Sequence, residues 1–134
     1  MGEMSVKALA GLRIVVGVLS WFAPNLAGTL FGLDVKKNKQ APYLARLFGV
    51  RDIALGVGTL MAKGSARRTW LQMGLVCDSA DAAAAGIGHK DGYLDVQTAI
   101  MLAAPAVTAV ALGSAALGIG DDSDTHRQDG STAR

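Results

Sequence analysis

The chain has 134 residues, which is enough for one domain of ordinary size. Apolar residues make up 51% of it and charged residues 18%, with a formal net charge of +2, and we predict no nucleic-acid partner. Water-soluble domains of this size seldom carry so few charges, and those present cluster in short loops and in a C-terminal tail. A mean hydropathy of +0.33 agrees with a membrane protein.

Four stretches are long enough to cross a bilayer, since a membrane-spanning helix needs roughly 20 mostly apolar residues. Their predicted ranges are 8–23, 41–62, 69–88 and 93–118. Together they predict an all-α, integral membrane four-helix bundle over residues 1–120, with the lipid bilayer as its surroundings. The charged segment 121–134 follows and is predicted to be a disordered tail.

Proline and charge modify individual spans. Pro24 lacks an amide hydrogen and is predicted to end the first helix, so that residues 25–34 return along the interface. Pro105 predicts a kink in the fourth helix, and Asp95 lies near its start, where a carboxylate complements the helix dipole. Arg13 interrupts the first apolar run, and three more spans follow it, which favours an uncleaved helix over a signal peptide.

Aromatic and basic residues predict the topology. Trp21, Tyr43 and Tyr93 fall at span ends on one side of the membrane and Trp70 falls on the other, as expected for rings that favour the membrane–water boundary. The side with the termini and the connection 63–68 has six basic residues, against four on the opposite side. Both termini are therefore predicted to be cytoplasmic, in a bacterial cytoplasmic membrane.

Charged residues within three of the spans share one depth. At about 1.5 Å of rise per residue, five of them fall at or near the middle of their helices. This charged layer consists of Arg13, Arg51, Asp52, Asp78 and Asp81. An ionised group at the bilayer centre costs ~3 kcal/mol on insertion scales, so we expect these side chains to face one another inside the bundle. Arg46, nearer one surface, either joins them or extends outward to the interface.

The spacing of small residues supports this arrangement, because residues three and four apart share a helix face. The stripes that pass through the charges are Ala10, Arg13, Gly17 and Ser20; Ala45, Gly49, Asp52, Gly56 and Thr59; and Gly74, Asp78, Asp81, Ala85 and Gly88. Small residues allow membrane helices to approach closely. Arg51 lies about 100° round from Asp52 and is predicted to point toward a neighbouring helix.

Two interpretations of the charged layer follow from its composition. Fully ionised, its five residues leave one negative charge in excess, and counting Arg46 as a member restores balance. In one interpretation the layer consists of structural ion pairs that fix the helix register. In the other it is a functional polar site, where repulsion between Asp78 and Asp81 favours a shared or transferable proton.

The sequence resembles a known group of proteins in three segments, "GLRIVVGVLSWFAPNLAGTLFGLD", "APYLARLFGVRDIALGVGTL" and "LVCDSADAAAAG". They are similar to those of small four-helix bacterial membrane proteins grouped as a domain of unknown function, and more distantly to DoxX-like proteins. The resemblance covers about residues 8–120 and is most specific at "GVRDIALG", residues 49–56. It implies the four-helix fold and no particular activity.

Two functions remain as predictions. The first is an accessory or scaffold subunit that packs as a homo-oligomer or in a larger membrane complex, with the charged layer fixing the bundle. The alternative is a proton relay, or a small-ligand or lipid-binding transport component in which Arg13 or Arg51 holds a carboxylate or phosphate. We predict no enzyme, no metal and no cofactor, because the sequence has no nucleophile with a base, no metal-ligand cluster and no cofactor motif.

Overall fold

The structure, a computed structural model, describes residues 2–118. Its helices are α1 (Gly2–Phe22), α2 (Pro24–Leu30), α3 (Ala41–Met61), α4 (Gly64–Lys90) and α5 (Val96–Leu117). The described part of the chain has no strand, which confirms the all-α prediction. Each of the four predicted spans coincides with a long helix. The predicted disordered tail, 121–134, lies outside the described residues.

The segment after the first long helix differs from the predicted interfacial return. Pro24 does end α1, but it also begins the seven-residue helix α2, at a position where the missing amide hydrogen removes no helical hydrogen bond. A turn follows in which Gly32 has a φ of +79°, a conformation that glycine adopts without strain. Thr98 on α5 donates a hydrogen bond to the Gly32 carbonyl over 3.1 Å, which fixes the turn against α5.

Helix α4 is longer than the third predicted span. It begins at Gly64 rather than near Thr69, so most of the predicted polar connection 63–68 belongs to its first two turns. The connection to α3 is therefore very short. Gly64 has a φ of +55°, and Arg67 Nε donates to the Ala62 carbonyl over 2.8 Å. The hydropathy of the sequence predicts only the apolar part of α4, whereas the helix also includes polar residues at both ends.

Helix α5 has a defined cap at each end. Asp95 lies at the start of the helix, as predicted, and caps it by accepting a hydrogen bond from the backbone N–H of Thr98 over 2.9 Å. At the other end Gly118 has a φ of +70°, the left-handed conformation in which helices commonly end. Pro105 lies inside this helix.

The four long helices form a ring in which neighbours run antiparallel. Helix α1 packs against α3 and α5, and α4 packs against the same two helices from the opposite corner. The closest approach is between α1 and α3, where a Cβ built on Gly17 would lie 2.6 Å from the Gly49 carbonyl oxygen and one on Gly49 would lie 2.7 Å from that of Gly17. The small-residue stripes predicted from the sequence face inward: each member is buried except Ala45 and Asp81, which are half-buried.

Much of the outer surface of the bundle is apolar. Large hydrophobic residues on all four long helices are exposed, among them Val15, Leu47, Val76 and Ile100. Charged residues of the layer lie inside. Helices α1 (over Glu3–Phe22) and α5 are long and apolar enough to cross a membrane by length and composition, and only 22% of the most apolar stretch of α5 is buried. Helices α3 and α4, which carry the charges of the layer other than Arg13, do not meet the same criterion.

Candidate functional site

Arg13 lies at the centre of the bundle with its side chain 3% exposed. Small residues make room for it. A Cβ on Gly74 of α4 would lie 2.7 Å from Arg13 Nη2, and the Gly56 position on α3 is in contact with Arg13 Cβ. Arg13 Nη2 donates to Asp78 Oδ2, and Nη1 lies 3.5 Å from Asp52 Oδ1. One guanidinium therefore joins α1 to both α3 and α4.

Arg51 forms the second half of the layer, between α3 and α4. It donates to Asp81 through two parallel bonds, Nη1 to Oδ1 over 3.0 Å and Nη2 to Oδ2 over 2.6 Å. The same Nη2 lies 3.3 Å from Asp52 Oδ1. The guanidinium also stacks on Phe48, with Cζ 4.6 Å from the ring centroid. The prediction that Arg51 points along the edge of the stripe toward a neighbouring helix is therefore confirmed.

Arg46 does not belong to the layer. Five positions from Arg51 along α3 correspond to about 140° beyond one full turn, so the two side chains leave the helix on different sides. Arg46 is exposed, and its Nε donates to the Trp21 carbonyl at the end of α1 over 3.2 Å. The charge balance that Arg46 would have supplied is therefore missing. Two guanidinium groups face three carboxylates, and α5 has no charged residue to add.

The hydrogen bonding of the layer is incomplete. Arg13 Nη1 and Arg51 Nε are buried and have no hydrogen-bond partner among the described residues. Asp52 takes part only through Oδ1, at 3.3 and 3.5 Å from the two arginines. Within residues 2–118 no group of His, Cys, Asp or Glu side chains is arranged to hold a metal ion. The three carboxylates of the layer are instead directed at guanidinium groups.

A cavity of about 430 Å³ lies against one side of this layer. Arg13, Asp52, Asp78 and Asp81 line its polar end, and the remaining wall is mostly apolar. The cavity occupies the half of the bundle between the layer and the end formed by α2 and the loops 31–40 and 91–95. Its size is within the usual range for small-molecule sites.

The cavity is open to the outside of the bundle. Leu44 on α3 and Ala84 on α4 line it and are exposed, which places one mouth between these two helices. Asn38 and Tyr93, in the two loops, also line it and are exposed, so it reaches the end of the bundle. In the same loop as Asn38, Asp34 accepts a hydrogen bond from the backbone N–H of Lys37 over 3.1 Å. That bond and the Lys37 ammonium hold the pKa of Asp34 below its usual value.

Sequence reasoning predicted the five charges of the layer but not the cavity beside them. The small residues predict close packing, and this holds where α1 meets α3. In the other half of the bundle the small side chains of α4 and α5 face the interior of the ring and leave space beside them. Ala85 on α4 and Ala106 and Ala109 on α5 are the clearest examples. The alanine run at residues 82–85 is the sequence signal for this space.

The fold and the site together define a class: a helical bundle with an Arg–Asp network at its centre and an apolar cavity above it. Comparison of the chain with protein-family models, curated proteins and solved structures gives no match. The resemblance to small four-helix membrane proteins and to DoxX-like proteins therefore stays a prediction.

Proposed function

We propose that the chain is an integral membrane protein that crosses the bilayer four times, with α1, α3, α4 and α5, and has both termini on the cytoplasmic side. Helices α1 and α3 have 21 residues each and α5 has 22, which corresponds to about 32 Å and matches a hydrocarbon core of about 30 Å. The 27 residues of α4 allow its polar first turns to extend beyond that core.

The outward apolar surface supports this placement. In water, the exposed side chains of α5 would be an extensive apolar patch, whereas in a bilayer they meet lipid. The mid-depth charges of α3 and α4 are directed inward, and each lies against an opposite charge of the layer, as intramembrane ionisable groups do in known membrane proteins. Helices α3 and α4 carry four of the five charged residues of the layer. Ion pairing within the layer therefore offsets part of the free-energy cost of inserting these two helices into the bilayer.

Within this membrane bundle we assign the chain the function of binding a small amphiphilic molecule, as a ligand-binding or transport component. The observation that carries this proposal is the cavity of about 430 Å³ with charged groups at one end and apolar walls. A polar group of the ligand would lie against the layer, and its apolar body would lie along α3 and α5. A sealed layer with every charge paired would instead favour a purely structural role.

The scaffold function is a second candidate. The position of Arg13 supports the scaffold function. Its side chain is 3% exposed and contacts carboxylates on two other helices, and buried ion pairs of this kind fix the register of a bundle. The exposed apolar faces of the long helices also agree with the scaffold function, because a partner protein would cover them. A scaffold has no need of an open cavity.

A pair of adjacent substitutions on α5 separates these candidates. Ala106 lines the cavity, whereas the neighbouring Val107 faces outward and is 57% exposed. The purified protein in lipid nanodiscs would be titrated with the neutral fluorophore N-phenyl-1-naphthylamine, with protein-free nanodiscs as the background. We expect saturable binding by the wild type and Val107→Phe, and at least a tenfold weaker affinity for Ala106→Phe.

Helicity and thermal unfolding of both variants would be measured in parallel, so that loss of binding is not mistaken for loss of fold. Equal saturable binding by Ala106→Phe and the wild type would contradict the assignment of the site to this cavity. Absence of saturable binding by the wild type would favour the scaffold function.

A further inference from the structure

We propose that the cavity binds an amphiphilic cation, with a quaternary or protonated amine on an apolar body, and exchanges it for one proton at Asp52. This inference rests on the proposed ligand-binding function and specifies the chemical class of the ligand. It departs from the expectation drawn from the sequence, in which an arginine of the layer holds an anionic group.

The charge of the layer is the first step. Arg13 and Arg51 face Asp52, Asp78 and Asp81, and the described part of the chain supplies no other ion pair to any of them. Ionised in full, the layer has one uncompensated negative charge in a poorly hydrated environment. Such a charge is costly unless a cation or a proton neutralises it. A bound anion would double the imbalance.

Asp52 is the carboxylate best placed to change partners. Asp81 accepts two short bonds from Arg51, and Asp78 is paired directly with Arg13. Asp52 has only the longer contacts to the two arginines, both through Oδ1. Because Asp52 also lines the cavity, a cation that enters can approach it without breaking either of the stronger pairs.

The walls of the cavity suit the rest of such a ligand. Phe31, Phe48 and Tyr93 contribute aromatic rings, and the remaining wall is mainly aliphatic. Phe31 and Phe48 lie edge to face with centroids 6.3 Å apart. Aromatic faces attract cations, as the stacking of Arg51 on Phe48 already illustrates, and apolar walls accommodate an alkyl or aryl body.

The charged groups around Asp52 all belong to the layer, so the exchange of the cation for a proton takes place there. Arg13 faces it from α1, Arg51 from α3, and Asp78 and Asp81 from α4, while α5 presents no charge. Asp34, in the loop 31–40, is paired with Lys37 and exposed. In the empty cavity one proton on the Asp52 carboxyl makes the layer neutral. When the cation binds, this proton passes to water, and Asp52 becomes the counter-ion of the ligand.

The test uses ligands with the same alkyl chain and different charge. Octyltrimethylammonium, octyl sulfate and octanol would be titrated calorimetrically into the full-length protein in nanodiscs, in buffers of different ionisation enthalpy. Because one proton is exchanged per cation, we expect the affinity for octyltrimethylammonium to rise about tenfold per pH unit, with release of about one proton per ligand. Octyl sulfate and octanol should bind at least tenfold more weakly.

Asp52→Asn neutralises the layer without changing its shape, and Asp34→Asn, in the loop 31–40, is the matched control outside the layer. We expect Asp52→Asn to abolish both proton release and the preference for the cation, and Asp34→Asn to retain both. Equal or tighter binding of octyl sulfate, or cation binding without proton release, would overturn the inference and leave the cavity as a ligand site. Failure of all three ligands to bind the wild type would count against the proposed function itself. Should Asp52→Asn not fold, proton release by the wild type still decides the question.

Discussion

The Arg13 guanidinium occupies space that a side chain at position 74 would otherwise fill. Gly74 provides the space on α4, and the side chain uses it to reach Asp78 and Asp52. An arginine with this burial is tolerated only because its charge is paired; removing one partner of a buried pair typically costs 3–5 kcal/mol. The glycine is therefore as much a part of the network as the charges.

Gly74→Ala tests this dependence. The new Cβ would lie 2.7 Å from Arg13 Nη2, at the end of a flexible side chain, so the clash is relieved by moving the guanidinium away from Asp78. We expect the free energy of unfolding to fall by ~1–3 kcal/mol, as for other overpacked sites. The matched control is Gly86→Ala on the same helix, where a Cβ meets nothing within 4 Å and alanine raises helix propensity.

Both variants would be compared with the wild type by unfolding in detergent, followed by circular dichroism. An unchanged stability for Gly74→Ala would show that Arg13 has room to move without loss, and that the ion pair with Asp78 contributes little.

At the scale of the helices, the contact between α1 and α3 is a backbone contact. Gly17 and Gly49 bring the two backbones together, so there is no side chain at the crossing that can rotate away. This could be predicted from the sequence, because both glycines lie on stripes that pass through charged residues. The early start of α4 and the short helix α2 could not, since polar residues at 63–68 and a proline at 24 fit a loop or a helix end equally well.

Gly49→Ala should therefore force the helices apart. Its Cβ would lie 2.7 Å from the Gly17 carbonyl oxygen and 3.1 Å from the Trp21 backbone nitrogen, and neither atom can move without its helix. We expect a loss of ~1–3 kcal/mol in unfolding free energy. Gly11→Ala on α1, where a Cβ meets nothing within 4 Å, should be neutral or slightly stabilising. Equal stabilities for the two variants would contradict the close crossing.

At the scale of the whole molecule, the bundle has two halves of different character. Around Val6, Leu9 and Leu71 the helices pack into an apolar core, whereas on the other side of the layer they enclose the cavity. The sequence predicted the layer because charges at equal depth in three helices need one another. The cavity depends on how far apart the helices lie across the ring, a distance that the alanine run at residues 82–85 allows but does not determine.

Access of water-soluble reagents to the layer can be measured by labelling single cysteines introduced in a Cys77→Ala background. Ala85→Cys would place a thiol on the cavity wall although residue 85 is buried, Ile87→Cys would place one on the outward face of the same helix, and Asp91→Cys would place one in the loop. In native membranes, the water-soluble reagents aminoethyl and sulfonatoethyl methanethiosulfonate are expected to label Asp91→Cys and leave Ile87→Cys unmodified.

For Ala85→Cys we expect labelling by both reagents, faster with the cationic aminoethyl reagent because the layer has an excess of carboxylates. Labelling of Asp91→Cys together with no labelling of Ala85→Cys would mean that the layer is sealed, and would contradict a ligand-binding cavity above it.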